Sequence, residues 1–195
     1  MTLRILTAIL GLAAAAVAGP PLICERIEIG SAKSLPWRQV NGWDGSDKSY
    51  DVSKLTGDVM ALLTPSMPVT VRMETLRRAA IYAARHEDLA EQITARLLAR
   101  VADSMAAGKT DANAWFDAGY YVEALRQVTF IYRHDMLSPA ERAQWKLRGE
   151  KQGLDGRPWV EKAIQLGGQG MDPAIAKIEG YREADLKHRK QMAGK

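Results

Sequence analysis

Asp111-Ala112-Asn113-Ala114-Trp115-Phe116-Asp117-Ala118-Gly119-Tyr120-Tyr121-Val122-Glu123-Ala124-Leu125 decides the fold class of this chain. Asp111 suits a helix N-cap, where a carboxylate accepts from backbone amides that lack an intrahelical partner. Behind it Trp115, Ala118, Val122 and Leu125 recur at helical steps, and Phe116, Tyr120 and Ala124 widen the stripe. A helix apolar over so much of its surface belongs at the centre of a helical body.

Helical periodicity continues on both sides. Upstream, Val52–Leu63 reads as a first helix, stopped by Thr64-Pro65. A second starts after Pro68 with Thr70 as N-cap, carries Met73, Leu76, Ala80 and Ala83 on one stripe, and breaks near His86. Leu89, Ile93, Leu97 and Val101 follow at four-residue steps until Ala106-Ala107-Gly108. Downstream, His134-Asp135 ends the central helix. Ser138-Pro139-Ala140-Glu141 then combines a Ser N-cap, a Pro at the first helical position and a Glu that closes a capping box. That helix is expected to reach Arg148-Gly149. Another carries Trp159, Ala163, Ile164 and Leu166 after Asp155-Gly156-Arg157-Pro158, and the last runs from Asp172-Pro173 through Ile175, Ile178, Tyr181 and Leu186.

About seven helices with short connections predict an all-α domain over 55–186, stacked as helix hairpins in the manner of an α-solenoid. Helices near Val71, Ala114 and Pro158 start about 43 residues apart, each followed by a second helix. A basic tail, 187–195, is expected to fray. Residues 19–54 differ. Leu22 to Gly30 alternates briefly as a short strand or extended arm, and Asn41 to Asp51 is rich in turn formers. This arm is expected to lay Ile27, Ile29, Leu35, Trp37 and Trp43 onto the helical body.

Residues 1–18 read as a signal peptide. Arg4 precedes the apolar run Ile5 to Val17, Ala16-Val17-Ala18 offers the small-x-small cleavage pattern, and Gly19 would begin the mature chain. Pro20-Pro21 ends the run at about 15 residues, short of the about 20 that span a bilayer. No later segment is apolar enough to cross, so the expected address is the periplasm or the extracellular space, with no transmembrane span after cleavage. The formal net charge is +4, and cleavage removes only Arg4. So small and mixed a balance argues against a nucleic-acid partner.

Two resemblances bear on this reading. Ala114-Trp115-Phe116-Asp117-Ala118-Gly119-Tyr120 and Trp159-Val160-Glu161-Lys162-Ala163-Ile164-Gln165-Leu166 with Asp172-Pro173 resemble parts of tetratricopeptide helix hairpins, at a spacing longer than that unit's roughly 34 residues. Ile23-Cys24, Ile29-Gly30 and Ala32-Lys33-Ser34-Leu35-Pro36-Trp37, with Arg72-Met73-Glu74-Thr75-Leu76-Arg77-Arg78-Ala79, resemble a group of uncharacterised exported bacterial proteins. The second resemblance implies export and no particular activity.

Motifs for chemistry are incomplete. Gly30-Ser31-Ala32-Lys33-Ser34 imitates the end of a phosphate loop, yet Ala32 and Ile27 stand where glycines are needed. After His86-Glu87 the second zinc-ligand position is Ala90, and His134 and His188 are distant. Asp44-Gly45-Ser46-Asp47 lacks a calcium ladder, and no G-x-S-x-G elbow occurs. No cofactor, metal site or catalytic residue is therefore assigned. Carboxylate pairs such as Asp103 with Asp111 and Asp117 with Glu123 leave open a hydrolase of glycan or peptide.

The candidate contact residues are Arg72, Arg77, Trp37 and Trp43. Glu74 can pair with Arg77 and Arg78 along one helix, whereas Arg72 has no local partner and would meet an anion or the arm. Trp37 and Trp43 either pin the arm or form a recognition surface. The single cysteine, Cys24, has no intramolecular partner, so it is buried, unpaired, or an intermolecular thiol bridging a structural envelope protein. The function expected is an exported helical-repeat-like interaction module that binds a peptide, protein or envelope component in the groove of its stack, without catalysis.

Overall fold

The computed structural model describes residues 21–193 apart from 41, 134–136 and 145–152. Residues 1–18, expected as a leader, His134-Asp135, Trp145 and the expected helix end at Arg148-Gly149 lie outside the described residues, as does the side chain of His188. Among the described residues there are eight α-helices: α1 (Pro21–Cys24), α2 (Leu55–Leu62), α3 (Val69–Ala83), α4 (Glu87–Ala106), α5 (Ala112–Arg133), α6 (Pro139–Gln144), α7 (Arg157–Gln165) and α8 (Asp172–Ala193). The protein is all-α; among the described residues strand pairing is confined to one isolated antiparallel bridge, Trp37 with Ser46. No described helix is long and apolar enough to cross a membrane.

Local chemistry accounts for the helix ends. Asp111 Oδ1 accepts from the amides of Asn113 (3.0 Å) and Ala114 (3.2 Å), capping α5. The capping box forms at α6: the Ser138 hydroxyl and amide both donate to Glu141 Oε2 at 2.6 and 2.8 Å. At α3 the expected cap is displaced. Pro68 occupies the N-cap and its carbonyl accepts from the Arg72 amide, so Thr70 lies exposed within the first turn. The last helix also outruns its expected end, reaching Ala193. Lys, Arg, Gln and Met favour helix, and Asp185 pairs with Arg189 one turn on.

α3 touches α4 and α5, α4 touches α5, α5 touches α7 and α8, and α7 touches α8. α5 is thus the helix on which the others pack. α2 closes one end against α3 and α4. The core holds Leu76, Ile81, Phe116, Tyr120, Tyr121, Val128, Val160 and Ile178, all fully buried. Phe116 and Tyr120 stack with centroids 5.5 Å apart. Trp115 and Trp159 sit at the margin of the core, half-buried, and Leu186, expected on the apolar stripe of α8, is 54% exposed.

A buried carboxylate joins the later helices. Glu123 of α5 accepts from the Gly156 amide at the start of α7 (2.9 Å) and from Arg182 of α8 (2.9 Å). Arg182 also bonds Asp155, which lowers the Asp155 carboxyl below its ordinary range. Because the folded value lies below the unfolded one, this pair contributes stability at neutral pH that is lost as pH falls through the folded value. Urea unfolding midpoints are therefore expected to drop on acidification below about pH 4, and to drop less in Asp155→Asn.

Candidate functional site

The arm lies along the face shared by α3, α5 and α8, since α1 contacts all three. Its start is an anchor. Leu22 and Ile23 are fully buried, and the Leu22 amide donates to Gln127 Oε1 of α5 at 2.7 Å. Here the extended reading is corrected: Pro21–Cys24 turns as one helical turn, which sends both apolar side chains into the core. Glu25 then pairs with Lys177 of α8.

Polar side chains of α3 hold the rest of the arm, mostly through its main chain. Glu74, Arg78 and Tyr82 stand at four-residue steps and form one ladder. Glu74 Oε2 accepts from the Ile27 amide (3.1 Å), Arg78 donates to the Leu35 carbonyl (2.8 Å), and the Tyr82 hydroxyl donates to the Pro36 carbonyl (2.6 Å). The same hydroxyl accepts from the Asp47 amide at 2.8 Å. Beside the ladder, Arg77 donates to the Trp43 carbonyl (2.9 Å), and the hydroxyls of Thr75 and Ser34 bond at 2.8 Å. Arg85, just beyond α3, bonds Asp44 at 2.6 Å. Extended backbone has unpaired amides and carbonyls that must find partners when covered; the ladder supplies them.

Trp37 sits over this ladder. The guanidinium carbons of Arg77 and Arg78 lie 5.2 and 5.4 Å from its ring centroid, within cation–π range. It stands perpendicular to the Tyr82 ring, with centroids 6.0 Å apart, and the turn packs closely at Gly45, where a Cβ would come within 2.6 Å of the indole nitrogen. Trp37 and Trp43 are half-buried against the core. Arg72 is placed elsewhere. It is fully buried, bonds both oxygens of Asp117 on α5 (2.8 and 2.6 Å) and donates to the Thr64 carbonyl at 2.5 Å. Arg100 of α4 reaches the same Asp117 at 3.2 Å. Thus Arg77, Trp37 and Trp43 come together at the arm, while Arg72 and Asp117 tie α3 to α5.

The expected pairing of Glu74 with Arg77 and Arg78 is present at 3.4 and 2.9 Å. Asp117 and Glu123 belong to two different ion-pair networks, one toward α3 and α4 and the other toward α7 and α8. Sequence reasoning missed Glu74, Tyr82 and Gln127 as holders of the arm. The four-residue repeat of Glu74, Arg78 and Tyr82 was the available signal, and a polar stripe of that kind reads equally well as a solvated face.

No protein-family model matches this chain, and neither a curated protein nor a solved structure matches it.

Two further features bear on the site. A concavity of about 640 Å³ lies between α2 and α4, lined by Thr56, Gly57, Met60, Gln92, Ala95 and Arg96. Cys24 is half-buried beside the anchor, and burial pushes its thiol up to about 11. Since the thiolate is the reactive form, alkylation of Cys24 by iodoacetamide at neutral pH is expected to be much slower in the folded chain than in urea. Among the described residues no three of His, Cys, Asp and Glu gather as a metal-binding group.

Tyr82 offers a direct test of the ladder. Tyr82→Phe keeps the ring but removes the acceptor for Asp47 and the donor to Pro36. Both bonds are part-buried and their partners can turn to water, so each contributes about 0.5–1.5 kcal/mol, and urea unfolding is expected to register a loss of about that size. A change below a few tenths of a kcal/mol would show that the arm does not depend on this contact.

Proposed function

We propose that this chain is an exported helical-repeat-like interaction module that holds a peptide, protein or envelope component and performs no chemical step. The observation that carries this reading is the arm. One face of the stack binds an extended segment by its main chain, with Glu74, Arg78 and Tyr82 pairing amides and carbonyls and the buried Leu22 and Ile23 anchoring one end. A stack built to hold one extended segment has the chemistry for holding another. The leader pattern of residues 1–18 supports a periplasmic or extracellular address.

The concavity between α2 and α4 is the docking place for that partner. Met60 supplies an adaptable apolar contact, Gln92 and Thr56 supply hydrogen-bonding groups, Gly57 and Ala95 leave room for a close approach, and Arg96 supplies a charge. The test places a photo-cross-linking residue at Gly57 or Ala95 and irradiates the protein in its native compartment. The expected result is a discrete adduct that disappears when Arg96→Glu is added. Adducts identical to those formed from Lys162, exposed on α7, would overturn the reading.

A further inference from the structure

The face that holds the arm is filled by a segment whose own internal structure is slight. Between α1 and residue 51 the arm's own pairing includes the Trp37–Ser46 bridge, the Arg38 contacts to Gly45 and Ser46, the Arg26 contacts to Gln39 and Val40, and short turns. Its hold on the body comes from α3, α5 and α8. Six of the contacts that fix its path end on main-chain atoms of Leu22, Ile27, Leu35, Pro36, Trp43 and Asp47, and the side chains of Glu25, Ser34 and Asp44 add three more. Leu22, Ile23 and Leu35 add the buried apolar anchors. The connection to the helical body is a single 3₁₀ turn, Val52–Lys54, with Asp51, Ser53 and Lys54 exposed.

We propose that the α3–α5–α8 face is a receptor for this arm, and that the arm of a second copy takes the place of the chain's own to give an arm-exchanged dimer. The inference rests on reading that face as one that holds an extended segment. The occupant follows from the contacts. The sequence seen to pair with Gln127, Glu74, Arg77, Arg78 and Tyr82 of the face, and to fill its anchor sites, lies within residues 22–47, and each further copy of the chain carries it. Exchange recreates the same contacts in trans. What changes is the path of the exposed turn at 51–54 and the entropy of bringing two chains together. The exchanged form is therefore favoured by high concentration and by conditions that loosen the arm without unfolding the helices.

Ser34 and Thr75 give a position-specific reading, because their hydroxyl oxygens lie 2.8 Å apart across the seam. In a Cys24→Ala background, Ser34→Cys is made in one tagged full-length chain and Thr75→Cys in a second chain with a different tag. Neither chain can close the bridge alone. On mixing with a mild oxidant, exchange predicts a covalent heterodimer that carries both tags and grows with protein concentration. The chain bearing both cysteines serves as the geometric control and is expected to oxidise as a monomer when dilute. Absence of the heterodimer while that control closes would overturn the proposal. Native mass spectrometry of the unsubstituted chain mixed with an isotope-labelled copy reads the same event without any new cysteine. Mixed-isotope dimers are expected at high concentration, and monomers at every concentration would contradict exchange. Failure here, with the photo-adducts at Gly57 and Ala95 intact, would remove the second-copy occupant and leave the interaction reading standing.

Discussion

Asp117→Leu alone is expected to destabilise the chain by about 3–5 kcal/mol, the cost of breaking a buried ion pair by removing one partner. Arg72 is fully buried, and Asp117 is the carboxylate that both of its contacts at 2.8 and 2.6 Å address. With that carboxylate gone, a guanidinium is left inside the core with the Thr64 carbonyl as its remaining hydrogen-bond partner. Arg100 suffers less, because it is partly exposed and can turn to solvent. The double variant Arg72→Met with Asp117→Leu removes both charges and keeps apolar bulk. It is expected to recover most of the loss, since well-packed apolar replacements of buried pairs are often neutral. Urea midpoints at constant m-value measure all three proteins. A double variant as unstable as Asp117→Leu would show that the pair's geometry, and not the uncompensated charge, sets the cost.

Gly119→Ala and Gly180→Ala are expected to move stability in opposite directions. Both glycines lie inside helices, where alanine is favoured by up to about 1 kcal/mol. Around Gly180 nothing lies within 4 Å of where a Cβ would stand, so that gain is expected in full. At Gly119 a Cβ would stand 2.6 Å from the Gly156 carbonyl oxygen, 2.8 Å from Val160 Cγ2 and 2.9 Å from the Val160 amide nitrogen. Two of these three are backbone atoms of the α7 start, and the Glu123 bond to the Gly156 amide holds that backbone in place. Relief requires α7 to move away from α5, and overpacking of this kind costs about 1–3 kcal/mol. Gly119→Ala is thus expected to lose stability in spite of its better helix propensity. Equal gains at both positions in urea unfolding would mean that α5 and α7 are not packed this closely.

Much of the fold was legible because its signals are local. The Asp111 cap, the Ser138–Glu141 capping box and the helix breaks at His86 and Gly108 each depend on a few neighbouring residues, and each appears where the sequence puts it. Thr70 was misjudged as a cap because the preceding Pro68 already turns its carbonyl toward Arg72. Leu22 and Ile23 looked extended because alternation over so few residues does not separate a strand from one helical turn. The partner of Arg72 lies 45 residues away on another helix, beyond the reach of any spacing rule. The ladder of Glu74, Arg78 and Tyr82 was visible as a stripe, but what covers it is set by tertiary structure.

The central claim is that the helical stack holds an extended segment through its main chain, and amide hydrogen exchange of the native chain tests it most directly. The amides of Leu22, Ile27 and Asp47, which donate to Gln127, Glu74 and Tyr82, are predicted to be strongly protected, with Gln127→Ala releasing Leu22 selectively. Exchange of all three at the rate of an unstructured chain, while the amides of α5 stay protected, would contradict the account.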